Sequence, residues 1–321
     1  MKAARYQRAA QQDADTKRIM SLQRDFQTVV PFEVCAPAQQ RIPFVFNSPH
    51  SGHYYPAEFL LQSRLSAHDI RQSEDCYVDE LFASAVPLGA PLLRAHFPRA
   101  YLDVNREPYE LDPKMFSEPV PPYANIRSAR VAGGLGTIAK IVGEGQDIYK
   151  TRLPLHEAMD RIETIYKPYH HQLGQLLSDT RAQFGYAVLI DCHSMPSGVE
   201  WNDNNSLTNQ PLRPDFIIGD RFGRSCSDAL SWAAIELLQN MGYHVAHNKP
   251  YAGGYITEHY GRPHRDFHAL QIEINRALYM NETSLERLAS FATLYRDLAQ
   301  FMADLTALPD YVFLRHPQAA E

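Results

Sequence analysis

Four consecutive apolar residues, Ala187 to Ile190, follow directly on a helical stripe that covers residues 154–184. A short apolar run of this kind is buried on both faces of a parallel sheet, so the chain must supply a core on each side of it. In the stripe, Leu155, Met159, Ile162, Tyr166, Tyr169, Leu173, Leu176 and Leu177 share one face, Pro154 suits a first turn, and Pro168 predicts a kink. The alternation continues elsewhere. Strands are predicted at 43–47, 91–95, 101–105, 215–219, 243–246 and 269–275, and helices at 75–85, 227–241 and 284–305, the second closed by Gly242. Strands alternating with helices imply an α/β domain with a mixed, mainly parallel sheet flanked by helices.

A chain of 321 residues is long enough for one such domain. The division expected is an N-terminal extension over residues 1–31, helical or flexible, and a single α/β domain over residues 32–321. The extension is rich in Ala, Gln and Arg, but Asp13, Asp15 and Asp25 spoil the acid-poor signature of a transit peptide. A net charge of -6 provides no excess of positive charge to neutralise a phosphate backbone, so nucleic acid is excluded as the expected partner. No apolar run reaches the length of a membrane helix, and the four cysteines are scattered without a CxxC pair. The expectation is a cytoplasmic protein with a small-molecule partner and no membrane partner. Residues 107–125 are so dense in Pro and acids that they are predicted to form an irregular loop.

Three places concentrate chemistry. His50 and His193 each follow a predicted strand, at the edge where open α/β sheets bind ligands, and each precedes a serine. They are candidate metal ligands, or else turn residues bonded to backbone. In the strand 269–275, Leu270, Ile272 and Ile274 share one face while Gln271, Glu273 and Asn275 share the other. That pattern fits either a half-exposed strand or a polar site in which Glu273 is a general base. Asn105 and Arg106 offer an amide and a planar fork suited to gripping a carboxylate, with an ion pair from Arg106 to Glu107 or Glu110 as the alternative. The loop 251–268 adds further Arg and His, including Arg262, or is a plain surface loop packed by Tyr255, His259 and His264.

The motifs PHSG, SEDCYVDELF, DVNR, GLGTI, IDCHSMPSG, GGYITEHYGRP and LQIEINRALYM occur in this order over residues 43–280. Together they resemble the N-formylglutamate amidohydrolase family and, more distantly, zinc carboxypeptidases and aspartoacylase. The resemblance implies a zinc carboxypeptidase-like (phosphorylase/hydrolase-like) fold. It also implies a hydrolase that releases formate from an N-formyl amino acid, most simply N-formyl-L-glutamate in histidine degradation. By that resemblance His50 and His193 match zinc ligands, with another divalent metal possible; Asn105 and Arg106 match a carboxylate grip and Glu273 the catalytic base. Arg262 and Arg276 are further candidates for holding a small-molecule carboxylate substrate. One departure matters: carboxypeptidases take a zinc carboxylate from HxxE, whereas His53 stands three residues after His50. The resemblance points to Asp75 instead, with Glu74 as the runner-up; on the residues alone, both acids suit a helix N-terminus. Two other functions stay open: a metallohydrolase for another N-acyl amino acid or a C-terminal peptide bond, and a non-catalytic anion-binding protein.

Overall fold

The computed structural model describes residues 29–143, 145–200 and 213–313. Within them the strands are β1 (Phe32–Cys35), β2 (Phe44–Ser48), β3 (Leu92–Ala95), β4 (Ala187–Met195), β5 (Phe216–Gly219), β6 (Val245–His247) and β7 (Phe267–Asn275). They form one sheet in the order β1-β3-β2-β4-β7-β5-β6. The pairs β3–β2, β2–β4, β4–β7 and β5–β6 are parallel, and β1–β3 and β5–β7 are antiparallel. The sheet is therefore mixed and mainly parallel, as the alternating pattern implies. Residues 1–28 of the expected extension lie outside the described residues.

Each central strand buries both faces. One face of the sheet carries Phe44, Phe46, Val188, Ile190, Leu270, Ile272 and Ile274. These pack against Leu230, Ala234 and Leu238 of the helix Asp228–Asn240 and against Leu294, Leu298 and Phe301 of the helix Phe291–Thr306. The opposite face starts apolar, with Val45, Leu189 and Ala269 covered by Tyr169, Leu173 and Leu177 of the helix Lys167–Phe184. Toward the C-terminal ends of the strands this second face becomes polar. Asn47 follows Val45, Asp191 and His193 follow Leu189, and Gln271 and Glu273 follow Ala269, all buried. Side chains alternate with a period of two, so a strand can keep one face in the core while the other builds a polar site.

The predicted kink near Pro168 takes the form of a π-turn, Ile162–Tyr166, between the helices Leu155–Arg161 and Lys167–Phe184. It has a use. Tyr166 Oη donates to Arg106 O at 2.6 Å and His170 Nε2 lies 2.8 Å from Val104 O, so the turn and the start of the helix after it clamp the DVNR segment. That segment is not the strand expected at 101–105. Its backbone is held by Asp103 N donating to Thr137 O and by Asn105 N donating to the Asp103 side chain, an Asx turn in place of a ladder.

Three further expectations need correction. The helix expected at 75–85 is two short helices, Val78–Leu81 and Ala85–Leu88, because Tyr77 adopts a left-handed backbone (φ 64°) that delays the first turn. The strand expected to end at residue 190 runs on to Met195, so His193 lies within β4 and not beyond it. The helix expected from residue 284 begins at Phe291, since Asn281 Oδ1 accepts from Thr283 N and Ser284 N and holds that stretch as a turn. Among the described residues, no helix is long and apolar enough to cross a membrane. Leu189, fully buried at the centre of β4, tests the two-sided core: Leu189→Ala is expected to cost about 2–5 kcal/mol in denaturant unfolding.

Candidate metal centre and cleft

The PHSG turn leaves β2 and brings His50 back over the polar face. Gly52 permits the turn, since a Cβ there would lie 2.1 Å from Phe97 O. His50 N-terminal to this turn and Asp75 are tied through the backbone as well, Asp75 N donating to His50 O at 3.0 Å. His193 reaches the same point from β4. The side chains of His50, Asp75 and His193 are all buried, and one ligand atom from each lies within 4.8 Å of the others. Nδ1 of His193 is 3.0 Å from Asp75 Oδ2, and Nδ1 of His50 is 3.5 Å from the same oxygen.

The outer nitrogens are held by other carboxylates. His50 Nε2 is 2.8 Å from Asp103 Oδ1, and His193 Nε2 is 3.0 Å from Asp191 Oδ2. Asp191 is itself fixed by Asn47 Nδ2, which donates to Oδ1 at 2.8 Å. Carboxylates behind the histidines set the tautomer that leaves Nδ1 facing inward, the arrangement that orients imidazoles at metal sites. One observation supports the fit independently: His50 Nδ1 is buried with no hydrogen-bond partner, although such atoms are normally satisfied. Two imidazole nitrogens and a carboxylate oxygen suit zinc or another divalent cation. Burial disfavours charge on Asp75, but His193 and His50 hold its carboxyl well below the usual range. Burial likewise opposes the His193 imidazolium, but Asp191 and Asp75 keep it well above the ordinary histidine value. A cation at Nδ1 therefore has to displace a proton.

Glu273 stands beside this group because β7 pairs in register with β4, placing Glu273 opposite His193. Gln271 Nε2 donates to its Oε1 at 2.8 Å, and burial pushes its carboxyl up to about 7. These residues open onto a cleft of about 610 Å³ that Asn105, Arg106 and Arg276 also line. Their free valences differ from expectation. Asn105 Oδ1 accepts from Ile256 N at 2.8 Å, which commits the amide to the segment after Gly254 and leaves Nδ2 3.2 Å from His193 Nε2. Gly254 makes room for it, because a Cβ there would fall 2.3 Å from Asn105 Nδ2. Arg106 pairs with Asp103 at 3.4 Å, not with Glu107 or Glu110, and donates to Leu135 O and Asn105 O. Arg276 donates to Asp75 Oδ1 at 3.1 Å and to Ser194 Oγ, so it neutralises Asp75.

Two candidates fall elsewhere. Arg262 is exposed, and its backbone bridges Phe267 at the start of β7. Glu273 is six residue steps beyond Phe267 on β7, about 20 Å along the sheet, and Arg262 does not line the cleft. Glu74, the alternative to Asp75, turns away to Arg71 at 3.0 Å and accepts from the Cys76 thiol. Neither side chain caps the helix Val78–Leu81, whose N-cap position is Tyr77. The residues not foreseen are Asp103, Asp191 and Arg99. Asp191 was legible as the residue two before His193 on one strand face. Arg99, which pairs with Asp103 at 3.0 Å and lines the cleft, carries no local signal. A larger hollow of about 830 Å³ lies apart from this chemistry, between Tyr54, Phe97, Tyr101 and Arg161.

A mixed α/β sheet with a buried His–Asp–His group at the C-terminal ends of its strands defines a protein with a candidate metal centre opening onto an arginine-lined cleft. A family model for N-formylglutamate amidohydrolase matches residues 42–280. The chain belongs to the N-formylglutamate amidohydrolase family. It is 30% identical over 257 residues to an N-formylglutamate deformylase of Pseudomonas aeruginosa, covering 78% of this chain and 86% of the relative. With an N-formylglutamate deformylase of Pseudomonas putida it shares 31% over 255 residues, 76% of this chain and 84% of the relative. The crystal structure of an N-formylglutamate amidohydrolase from Ralstonia eutropha JMP134 superposes with a TM-score of 0.80 at 35% identity, covering 88% of this chain and 99% of that one.

The carboxylates behind the histidines generate a prediction. Asp103→Asn and Asp191→Asn are each expected to weaken divalent-cation affinity about 10- to 100-fold, measured by competition with a chelator of known affinity. Loading the metal-free protein is expected to release protons, so affinity falls as the pH is lowered; calorimetry in buffers of different ionisation enthalpy reads the proton count.

Proposed function

We propose that the protein is a zinc-dependent amidohydrolase that converts N-formyl-L-glutamate and water to formate and L-glutamate. The carrying observation is the placement of Glu273 in register with His193, beside the buried His50–Asp75–His193 group, in a chain of this family. The names of the Pseudomonas deformylases and of the Ralstonia enzyme support the substrate. His50, Asp75 and His193 would hold the zinc ion. When bound, such an ion polarises the formyl carbonyl and makes water a competent nucleophile near neutral pH.

The remaining work falls to side chains of the cleft. Glu273 takes a proton from the attacking water and passes it to the amide nitrogen as the C–N bond breaks, so glutamate leaves as an amine. A carboxylate lifted by burial to about 7 is a stronger base toward the attacking water than an exposed one, and it keeps that proton until the amide nitrogen takes it. Arg99, within electrostatic reach of Glu273 and Asp75, presents positive charge where the formyl oxygen becomes negative. Arg106 lines the cleft and supplies positive charge toward the substrate's α-carboxylate, while Asn105, fixed by Ile256 N, shapes the wall beside it; together they hold the amide over the base. Residues 32–321 act as one catalytic domain, in a reducing cytoplasm that suits four singly scattered cysteines. Release of glutamate and formate fits a role in histidine breakdown.

The test is formate release from a panel of N-formyl and N-acetyl amino acids by the zinc-loaded enzyme; a preference for a substrate other than N-formylglutamate would sink the assignment. Glu273→Gln is expected to lower kcat by a factor of about 100 to 10,000 with the metal content retained. The rate should also fall as the medium is acidified, because a protonated Glu273 cannot accept a proton. The inflection is expected at or below about 7, since a bound cation draws a neighbouring carboxyl downward.

A further inference from the structure

Among the described residues the cleft is lined by five arginines, Arg99, Arg106, Arg130, Arg221 and Arg276, against three carboxylates, Asp75, Asp103 and Glu273. In a chain of net charge -6, that local surplus of cations is what an anionic substrate meets. Four of the five guanidiniums are already engaged at close range. Arg276 holds Asp75 at 3.1 Å, Arg99 holds Asp103 at 3.0 Å, and Arg221 holds Glu258 at 2.6 Å and donates to Gly253 O. Arg106 donates to two carbonyl oxygens at 2.7 Å. Arg130 differs. Its one charged partner among the described residues is Glu110, at 3.7 Å, beyond good hydrogen-bond distance, and the side chain is one-third exposed (33%).

The backbone beneath Arg130 is nevertheless well fixed. Ser128 Oγ accepts from Val131 N at 3.0 Å, capping the short helix Ala129–Ala132, and Arg130 O accepts from Leu135 N at 2.8 Å. The following Gly136 lies flat on Glu110, where a Cβ would fall 2.2 Å from Glu110 O. Arg130 also stands close enough to Arg106 for the two like charges to matter. Burial first, then Arg99 and Arg130, lower the Arg106 guanidinium to about 10. Both side chains line the same cleft, so a substrate carboxylate near both would offset that repulsion.

We propose that Arg130 binds the side-chain carboxylate of the substrate and so sets a preference for N-acyl derivatives of acidic amino acids over neutral ones. The inference rests on the deformylase assignment and refines it: an amide hydrolase needs one carboxylate grip, whereas a dicarboxylate needs a second. Arg276 is committed to Asp75 and Arg262 lies at the far end of β7, so neither supplies it. A planar guanidinium with open N–H donors on a fixed turn does.

The experiment compares N-formyl-L-glutamate with its neutral near-isostere N-formyl-L-glutamine, in zinc-loaded wild type, Arg130→Met and Arg130→Lys. The ratio of kcat/KM for the acid to that for the amide is expected to fall about 10- to 100-fold in Arg130→Met, mainly through KM, the size of one lost charge-assisted contact. Arg130→Lys, which keeps the charge and loses the fork, is expected to restore part of the ratio. A ratio that does not move in Arg130→Met overturns the proposal, because a residue that only supports its loop would slow both substrates alike. A wild type that does not discriminate between the two overturns it also, while leaving the deformylase assignment standing. Formate release from neither substrate refutes that assignment, and this inference with it.

Discussion

Everything at the C-terminal end of this sheet depends on keeping Asp75 ionised in a place with almost no water. A buried carboxylate without partners would cost several kcal/mol or would take up a proton. Asp75 avoids both outcomes by dividing its two oxygens: Oδ2 faces the Nδ1 atoms of His50 and His193, and Oδ1 accepts from Arg276 and Ser194. Arg276 lies in the same chain segment as β7, three residues beyond Glu273, so the strand that carries the proposed base also carries the counter-charge for the proposed ligand. Removing Arg276 would leave Asp75 to the two histidines and Ser194 alone, and removing Asp75 would leave Arg276 buried without a counter-charge, which makes the group a single electrostatic unit.

A second layer holds that unit in shape. Asp103 and Asp191 fix the outer nitrogens of the two histidines, and Asn47 fixes Asp191 in turn. Tyr169 Oη donates to Asn47 Oδ1 at 2.5 Å, so the chain of contacts runs from the long helix through β2 and β4 to His193. The π-turn before that helix secures Arg106 O through Tyr166, and the first turn of the helix secures Val104 O through His170. A locally unfavourable helix geometry is thus matched by its hold on the segment that supplies Asp103, Asn105 and Arg106. Histidine orientation, and with it the inward-facing Nδ1 atoms, follows from these carboxylates more than from the histidines' own backbone.

The electrostatics of the cleft are local. The chain as a whole is acidic, and arginines held on the cleft wall by carbonyls and carboxylates give one surface of opposite sign. Because each engaged guanidinium also keeps N–H groups directed at its protein partner, the count of arginines overstates the charge that a ligand can use. The distinction between structural and available cations decides which side chains can read a substrate.

The pattern of the sequence alone determined the class of sheet, the strands near residues 43–47, 91–95 and 215–219, and the placing of Glu273 on the polar face of β7. Period-two alternation is a local property, and a strand inherits it wherever it is placed. His50 and His193 were legible for the same reason, as polar residues at strand ends. The partners of those residues were not. Asp75 was preferred over Glu74 only through resemblance to a family, and Asp103, Arg99 and Arg130 acquire meaning only beside residues far away in the chain. The loss of Arg262 from the site and the turn at residues 101–105 have that origin too. Register between β4 and β7, and the backbone partners that replaced a ladder around Asp103, are tertiary facts. Local propensity selects the elements, and long-range packing with the need to compensate buried charge decides which side chains meet.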